Sequence, residues 1–173
     1  SVRNSSPVIG STWSWTGGNV TLRGYAPLDD AHKPVWANRF VVDGIVGDPP
    51  IQELARVGGS NDYYIYGGSD AGRGIRAQRY LGKLRAFDQN ELRWTFASTE
   101  LLEQRFAFTA AAFADVGVVG NEILSPGPMD LLPGYGGALR IAWNENFIVR
   151  FDVGLSPIES NVPQLYILIG NPF

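Results

Sequence analysis

The side chains best placed to do chemistry in this sequence are charged residues set among glycines. In "GGSDAGRGIRAQRYLGK" (67–83), Arg73 lies between Gly72 and Gly74. The backbone that presents it can therefore take conformations closed to other residues. A guanidinium offers five donors in a planar fork and pairs best with carboxylates or phosphates. The stretch is not a phosphate loop, because it lacks the closing Gly-Lys-Ser/Thr and no helix follows. Asp29 and Asp30 stand with His32 in "DDAHKP". They could do acid–base or calcium work, but a hydrated turn is the simpler reading. Neither "GSTWSWTG" nor "SDAG" forms a nucleophile elbow. No catalytic constellation emerges, so no enzyme and no cofactor are expected. One histidine and no cysteine leave no basis for a metal centre built on those ligands. What remains is an arginine poised for carboxylates, and the question of which elements carry them.

Bulk properties narrow the setting. The chain has 173 residues, enough for one domain with a real core or one small barrel. Fourteen Lys and Arg against 17 Asp and Glu give a net charge of −3, which argues against nucleic acid as a partner. No run of 18 apolar residues is present, so no transmembrane helix is expected. No leader is visible at Ser1, and the chain reads as mature or trimmed.

The dominant pattern has period two, the period of a strand with two unlike faces. Eight candidate strands fall near 7–16, 18–27, 35–46, 83–98, 103–118, 135–145, 147–156 and 163–173. The one candidate helix is "PIQELARVG" (50–58). Turns at 16–19, 98–103 and 144–146 are short, which makes neighbours antiparallel. The connections 47–82 and 120–134 are long. In "FIVRFDVGL", Phe147, Val149, Phe151, Val153 and Leu155 share one face, with Arg150 and Asp152 on the other. Leu92, Trp94 and Phe96 likewise oppose Glu91 and Arg93. Phe106 and Phe108 oppose Arg105, Phe113 and Asp115, and Leu139, Ile141 and Trp143 oppose Arg140.

Two solvents fit such a pattern. In a soluble β-sandwich that binds a ligand, the apolar face is the core. In a transmembrane antiparallel β-barrel the apolar face meets lipid and the charged face lines the interior. The barrel is favoured by aromatics near strand ends (Trp13, Trp15, Trp36, Trp94, Trp143, Tyr166) and by Arg and Asp interleaved with Gly and Ala. Strands of about 10–12 residues also suit a tilted bilayer crossing. An eight-stranded barrel would close by pairing 163–173 with 7–16, since an open edge is not tolerated in hydrocarbon.

The motifs in the last third carry a resemblance. Phe113, Asp115 and Gly117 close one strand, and Gly134, Gly136, Gly137, Leu139 and Arg140 open the next. Arg150 and Asp152 follow, then the alternating "QLYILIGNPF" that ends at Phe173. With "GRGIR" and "NELRW", these resemble the C-terminal barrel of the bacterial surface-antigen family, the BamA- and TamA-like outer-membrane assembly and translocation proteins. The match runs over roughly residues 60–173 and corresponds to the second half of a larger family barrel. Where the family has an aromatic after Arg-Gly, this chain has Ile75.

The resemblance implies a bacterial outer-membrane location and a role in inserting or translocating polypeptides. A small structural or adhesive barrel without transport activity is the alternative. The resemblance also implies a lock between loop and barrel, with Arg73 and Gly74 on the loop and Glu91 and Asp115 on the wall. Alternation places Glu91 and Asp115 on the interior face, and Arg93, Arg140, Arg150 and Asp152 would line it with them. An eight-stranded interior is narrow, so a loop inside it would be crowded. The C-terminal Leu165, Tyr166, Ile167, Ile169 and Phe173 resemble the β-signal read by the barrel-assembly machinery. Leu165, Ile167, Ile169 and Phe173 are expected on one face, with Tyr166 opposite. The partners implied are the lipid bilayer and lipopolysaccharide, that machinery, and a second copy or the missing barrel half.

Overall fold

Period-two alternation becomes one antiparallel sheet. The computed structural model describes residues 1–29, 34–57, 66–123, 129–144, 147–170 and 173. His32 and Asp30 lie outside these residues. The strands are β1 (Val2–Ser5), β2 (Ser14–Pro27), β3 (Val35–Asp48), β4 (Leu84–Leu101), β5 (Gln104–Gly120), β6 (Leu132–Trp143), β7 (Phe147–Leu155) and β8 (Gln164–Ile169). Each strand pairs with its neighbours in chain order. One helical turn, α1 (Ile51–Leu54), follows β3.

The sheet is not closed. Among the described residues β8 pairs only with β7 and β1 only with β2, so the expected seam between 163–173 and 7–16 is not formed by them. Much of 7–16 is not a strand at all. Pro7–Ile9 forms a single 3-10 turn that ends at Gly10, whose φ of 83° lies in the left-handed region glycine tolerates. The expected turn at 16–19 is absent too, and β2 runs straight through it. Gly17 supplies clearance rather than a bend. It is buried on the inner face, where an added Cβ would sit 3.2 Å from Arg3 Nη2. The expected helix over 50–58 shortens to one turn, because so brief a helix has little stability of its own. Arg85 holds its end, with Nη1 donating to the Leu54 carbonyl at 2.6 Å.

The two faces sort oppositely to those of a water-soluble sheet. Outward lie Val20, Leu22, Trp36, Phe40, Leu92, Trp94, Phe96, Leu139, Trp143, Phe147, Phe151 and Val153, all exposed. Inward lie Arg39, Asp43, Arg85, Gln89, Glu91, Asp115, Arg140, Arg150 and Asp152, each no more than 4 % exposed. A β-sandwich would need a second sheet over the apolar face. The described strands form a single sheet, and that face is bare.

The inner face is covered by the chain's own long connection. Residues 66–75 lie against it, and Val57, Tyr66, Ala71 and Ile75 form a small apolar core with Val41, Phe87 and Leu132. Ile75, which stands where the resemblance expects an aromatic, is fully buried in that core. An eight-stranded barrel would leave room only for side chains. Here a loop occupies that space, and the sheet stays open around it. This is how the crowding foreseen from strand count is relieved.

Candidate functional site, an arginine-centred lock

The site is built where the loop meets β4, β5 and β7. Arg73 is fully buried. Its Nε donates to Asp115 Oδ2 and its Nη2 to Asp115 Oδ1, both at 2.9 Å, a bidentate fork. Its backbone N–H also donates to Asp115 Oδ2, at 3.0 Å. Nη1 donates to Glu91 Oε1 and lies 3.6 Å from Asp152 Oδ2. The guanidinium carbon stands 3.6 Å from the ring centre of Phe113, the aromatic that alternation sends inward from β5.

Each carboxylate is shared. Glu91 accepts from Arg140 Nη2 at 2.7 and 2.6 Å and from Arg93 Nε at 2.6 Å. Asp115 also accepts from Gln89 Nε2 at 3.2 Å. Asp152 forms an ion pair with Arg150, whose Nε is 3.1 Å from Oδ2. Burial works against the Arg73 charge, but Asp115 and Glu91 outweigh it and raise its pKa above the usual arginine range.

Glycines let the loop come this close. Gly74 has a φ of +90°, and a Cβ there would run into the Leu155 carbonyl. A Cβ on Gly134 would collide with the Arg73 carbonyl. The Gly74 N–H donates to the Tyr166 hydroxyl at 3.1 Å, and its carbonyl accepts from Gln164 Nε2 at 2.8 Å. The loop thus reaches from β4 across to β8. Tyr66 anchors its entry, donating to the Leu132 carbonyl at 2.8 Å, with its ring over Gly117. Burial pushes the Tyr66 phenol pKa well up, the Asp115 charge adds to this, and Arg73 opposes it.

The structure therefore brings together Arg73, Gly74, Glu91 and Asp115, with Arg93, Arg140, Arg150 and Asp152 around them. Of the C-terminal residues, all but Phe173 fall on the face that alternation expects. Leu165, Ile167 and Ile169 point outward and Tyr166 inward. Phe173 departs from the expected outward row, because β8 ends at Ile169 and Gly170 takes a φ of +98°. Its ring lies on the inner side, 5.2 Å from the Arg39 guanidinium and 5.1 Å from that of Arg93. Two of the aromatics expected at interfacial positions also face inward. Trp15 is buried beneath Arg3, and Tyr166 belongs to the lock.

Sequence reasoning missed a second inner cluster. Asp43 binds Arg85 and accepts from Arg3 Nη2 at 2.7 Å, and Arg3 also pairs with Glu53 at 3.4 Å. Arg39 donates to Gln89. The signal was available in "RFVVD", where Arg39, Val41 and Asp43 share one parity on β3. Glu159 was missed too. It clamps Arg79 at 2.8 Å and Arg76 at 3.5 Å, fixing the loop's exit. Among the described residues no cluster of imidazole, thiol and carboxylate groups is arranged to hold a metal ion.

Comparison with family models, with curated proteins and with solved structures finds no match in any of the three, so none of them places the chain in the bacterial surface-antigen family.

Proposed function

We propose that this chain forms part of the wall of an outer-membrane β-barrel, with its apolar face toward lipid and the Arg73 loop held inside. One observation carries the reading, the inversion of the sheet. Large apolar side chains are bare on one face, while arginines and carboxylates are buried on the other. In water that distribution wastes the hydrophobic effect; in a bilayer each face meets its proper solvent. The open edges on β1 and β8 then require strands from outside this sheet, from a second copy or from further chain. Following the resemblance, the role is insertion or translocation of outer-membrane polypeptides. The buried ion-pair network gives the loop one fixed seat and acts as a conformational lock rather than a catalytic centre. The test is reconstitution into liposomes, followed by addition of an unfolded outer-membrane barrel protein. Faster insertion of that client than into empty liposomes, lost in Arg73→Ala, is expected. Insertion unchanged by the protein would assign it a structural or adhesive role, and a sample that folds without detergent or lipid would overturn the membrane reading.

A further inference from the structure

The edge strand β1 is held in two ways, and only one of them is the sheet. Among the described residues its backbone pairs with β2 alone, from Val2 opposite Gly18 to Ser5 opposite Trp15. The second hold is a side chain. Arg3 reaches the inner face, where Gly17 leaves it room and its guanidinium stands 5.8 Å from the ring centre of Trp15. Its Nη2 donates to Asp43 Oδ1 on β3 at 2.7 Å, and its Nη1 to Glu53 Oε2 on α1 at 3.4 Å.

These contacts close a ring through four elements. The other Asp43 oxygen accepts from Arg85 Nη2 on β4. Arg85 Nη1 in turn donates to the Leu54 carbonyl at 2.6 Å and the Glu53 carbonyl at 3.4 Å. Two guanidiniums meet two carboxylates, and Arg85 and Asp43 are fully buried. The members differ in what they join. Asp43 ties Arg3 to the sheet, whereas Glu53 ties it to the connection between β3 and β4, the one that carries Arg73. The Arg3–Glu53 pair is also the more accessible of the two, since Glu53 is 22 % exposed and Asp43 is not exposed at all.

We infer that Arg3 is a latch coupling the edge strand β1 to the β3–β4 connection, so that seating the connection steadies β1 and unseating it frees β1. An edge with one neighbour opens more readily than an interior strand, so one such link changes its population measurably. The coupling is reciprocal, and what loosens α1 loosens β1 by the same factor. The latch stands without the membrane reading. Its consequence rests on that reading, because β1 is then one of the two edges that must receive a strand from outside this sheet.

The test places single nitroxide labels at Val2 on β1 and Ile51 on α1, both exposed, with Leu139 on β6 as the reference. Spectra of the whole folded chain are taken in detergent micelles, and in plain buffer if it folds there. Glu53→Gln is expected to raise the mobile-to-immobile ratio at Val2 about threefold, the scale a partly exposed ion pair supports. Arg3→Gln is expected to do the same at Ile51, and Leu139 to keep its spectrum in both. Once Arg3 is replaced, Glu53→Gln should no longer move the Val2 label. Arg73→Ala, which unseats the connection, should loosen Val2 with Arg3 present and leave it unmoved in Arg3→Gln. If Arg73→Ala also loosens Leu139, the sheet itself has failed and the Glu53 and Arg3 variants decide. A Val2 label indifferent to Glu53→Gln, or one that Glu53→Gln still moves after Arg3→Gln, overturns the latch. The same coupling found in a chain that folds without detergent or lipid upholds the latch and refutes the membrane reading alone.

Discussion

Arg73 holds the loop with a charge that has no access to water, and the energetic consequences are steep. Removing one partner of a buried pair leaves the other uncompensated, at about 3–5 kcal/mol. Arg73→Ala is therefore expected to lower stability by about that amount in denaturant titrations. Double-mutant cycles pairing Arg73 with Glu91 and with Asp115 should both show coupling, and coupling near zero in both would return Arg73 to a solvated role. Gly134 makes a sharper steric test, because its missing Cβ is the space taken by the Arg73 carbonyl. Gly134→Ala should cost about 1–3 kcal/mol, whereas Gly24→Ala, with nothing within 4 Å of the new methyl, should stay within about 0.5 kcal/mol. Tyr66 offers a pH signature. Its folded pKa is raised, so its stabilising contribution is complete below the ordinary phenol pKa of about 10 and lost as pH rises beyond it. The alkaline fall contributed by this group should approach about 1.4 kcal/mol per pH unit. It should vanish in Tyr66→Phe when unfolding is compared from pH 9 to 11 (about the range where phenols titrate).

At the scale of elements, each strand alternates between an outer and an inner face, and β4 changes parity at one bulge. Toward the β4–β5 and β6–β7 turns the outer residues form a row of aromatics. Trp94 and Phe96 have ring centres 5.9 Å apart, Phe106 and Trp143 also 5.9 Å, and Trp143 and Phe147 6.0 Å. A bulge between Thr95 and Ala97 shifts the β4–β5 register within this row. The apolar residues of β6 and β7 continue from it, with Leu139 opposite Phe151. If this face meets hydrocarbon, Phe151→Arg should cost about 2–4 kcal/mol in reversible unfolding from lipid. Spin labels at Trp94, Phe151 and Val153 should relax faster with oxygen than with a water-soluble nickel chelate. The reverse order would place this face in water.

At the scale of the whole molecule, the described strands form one sheet with β1 and β8 as its edges and a loop filling its inner face. The first edge is short, with four residues in β1, and the last carries Leu165, Ile167 and Ile169 outward. In hydrocarbon neither edge can remain unpaired, because each orphaned backbone group costs several kcal/mol, on the order of a lost hydrogen bond in an apolar medium. Cysteines placed at Ser5 on β1 and Leu165 on β8 are expected to give no crosslink within one molecule. In liposomes holding this chain alone they should crosslink between copies. An efficient link within single molecules would mean that the sheet closes on itself after all.

The antiparallel neighbours from β3 to β8 and the two faces of those strands were legible in the amino-acid sequence, whereas the meeting of Arg73 with the wall entered only as what the resemblance implies. Alternation in "NELRW", "FADVG" and "RFDVG" places Glu91, Asp115, Arg150 and Asp152 on one face, because side-chain direction in a strand depends only on neighbouring residues. The glycines around Arg73 likewise announced a backbone that had to approach something closely. Whether the sheet closes and where residues such as Phe173 come to lie emerged from the packing alone. Those depend on what fills the concave side, and a loop of more than thirty residues is not encoded in any local period. Gly17 shows the limit well. As a residue type it signals a turn, and only the approach of Arg3 across the inner face explains it as clearance inside a continuous strand. Phe173 shows it again, for alternation alone would send the ring outward, while the left-handed Gly170 and two arginines bring it in.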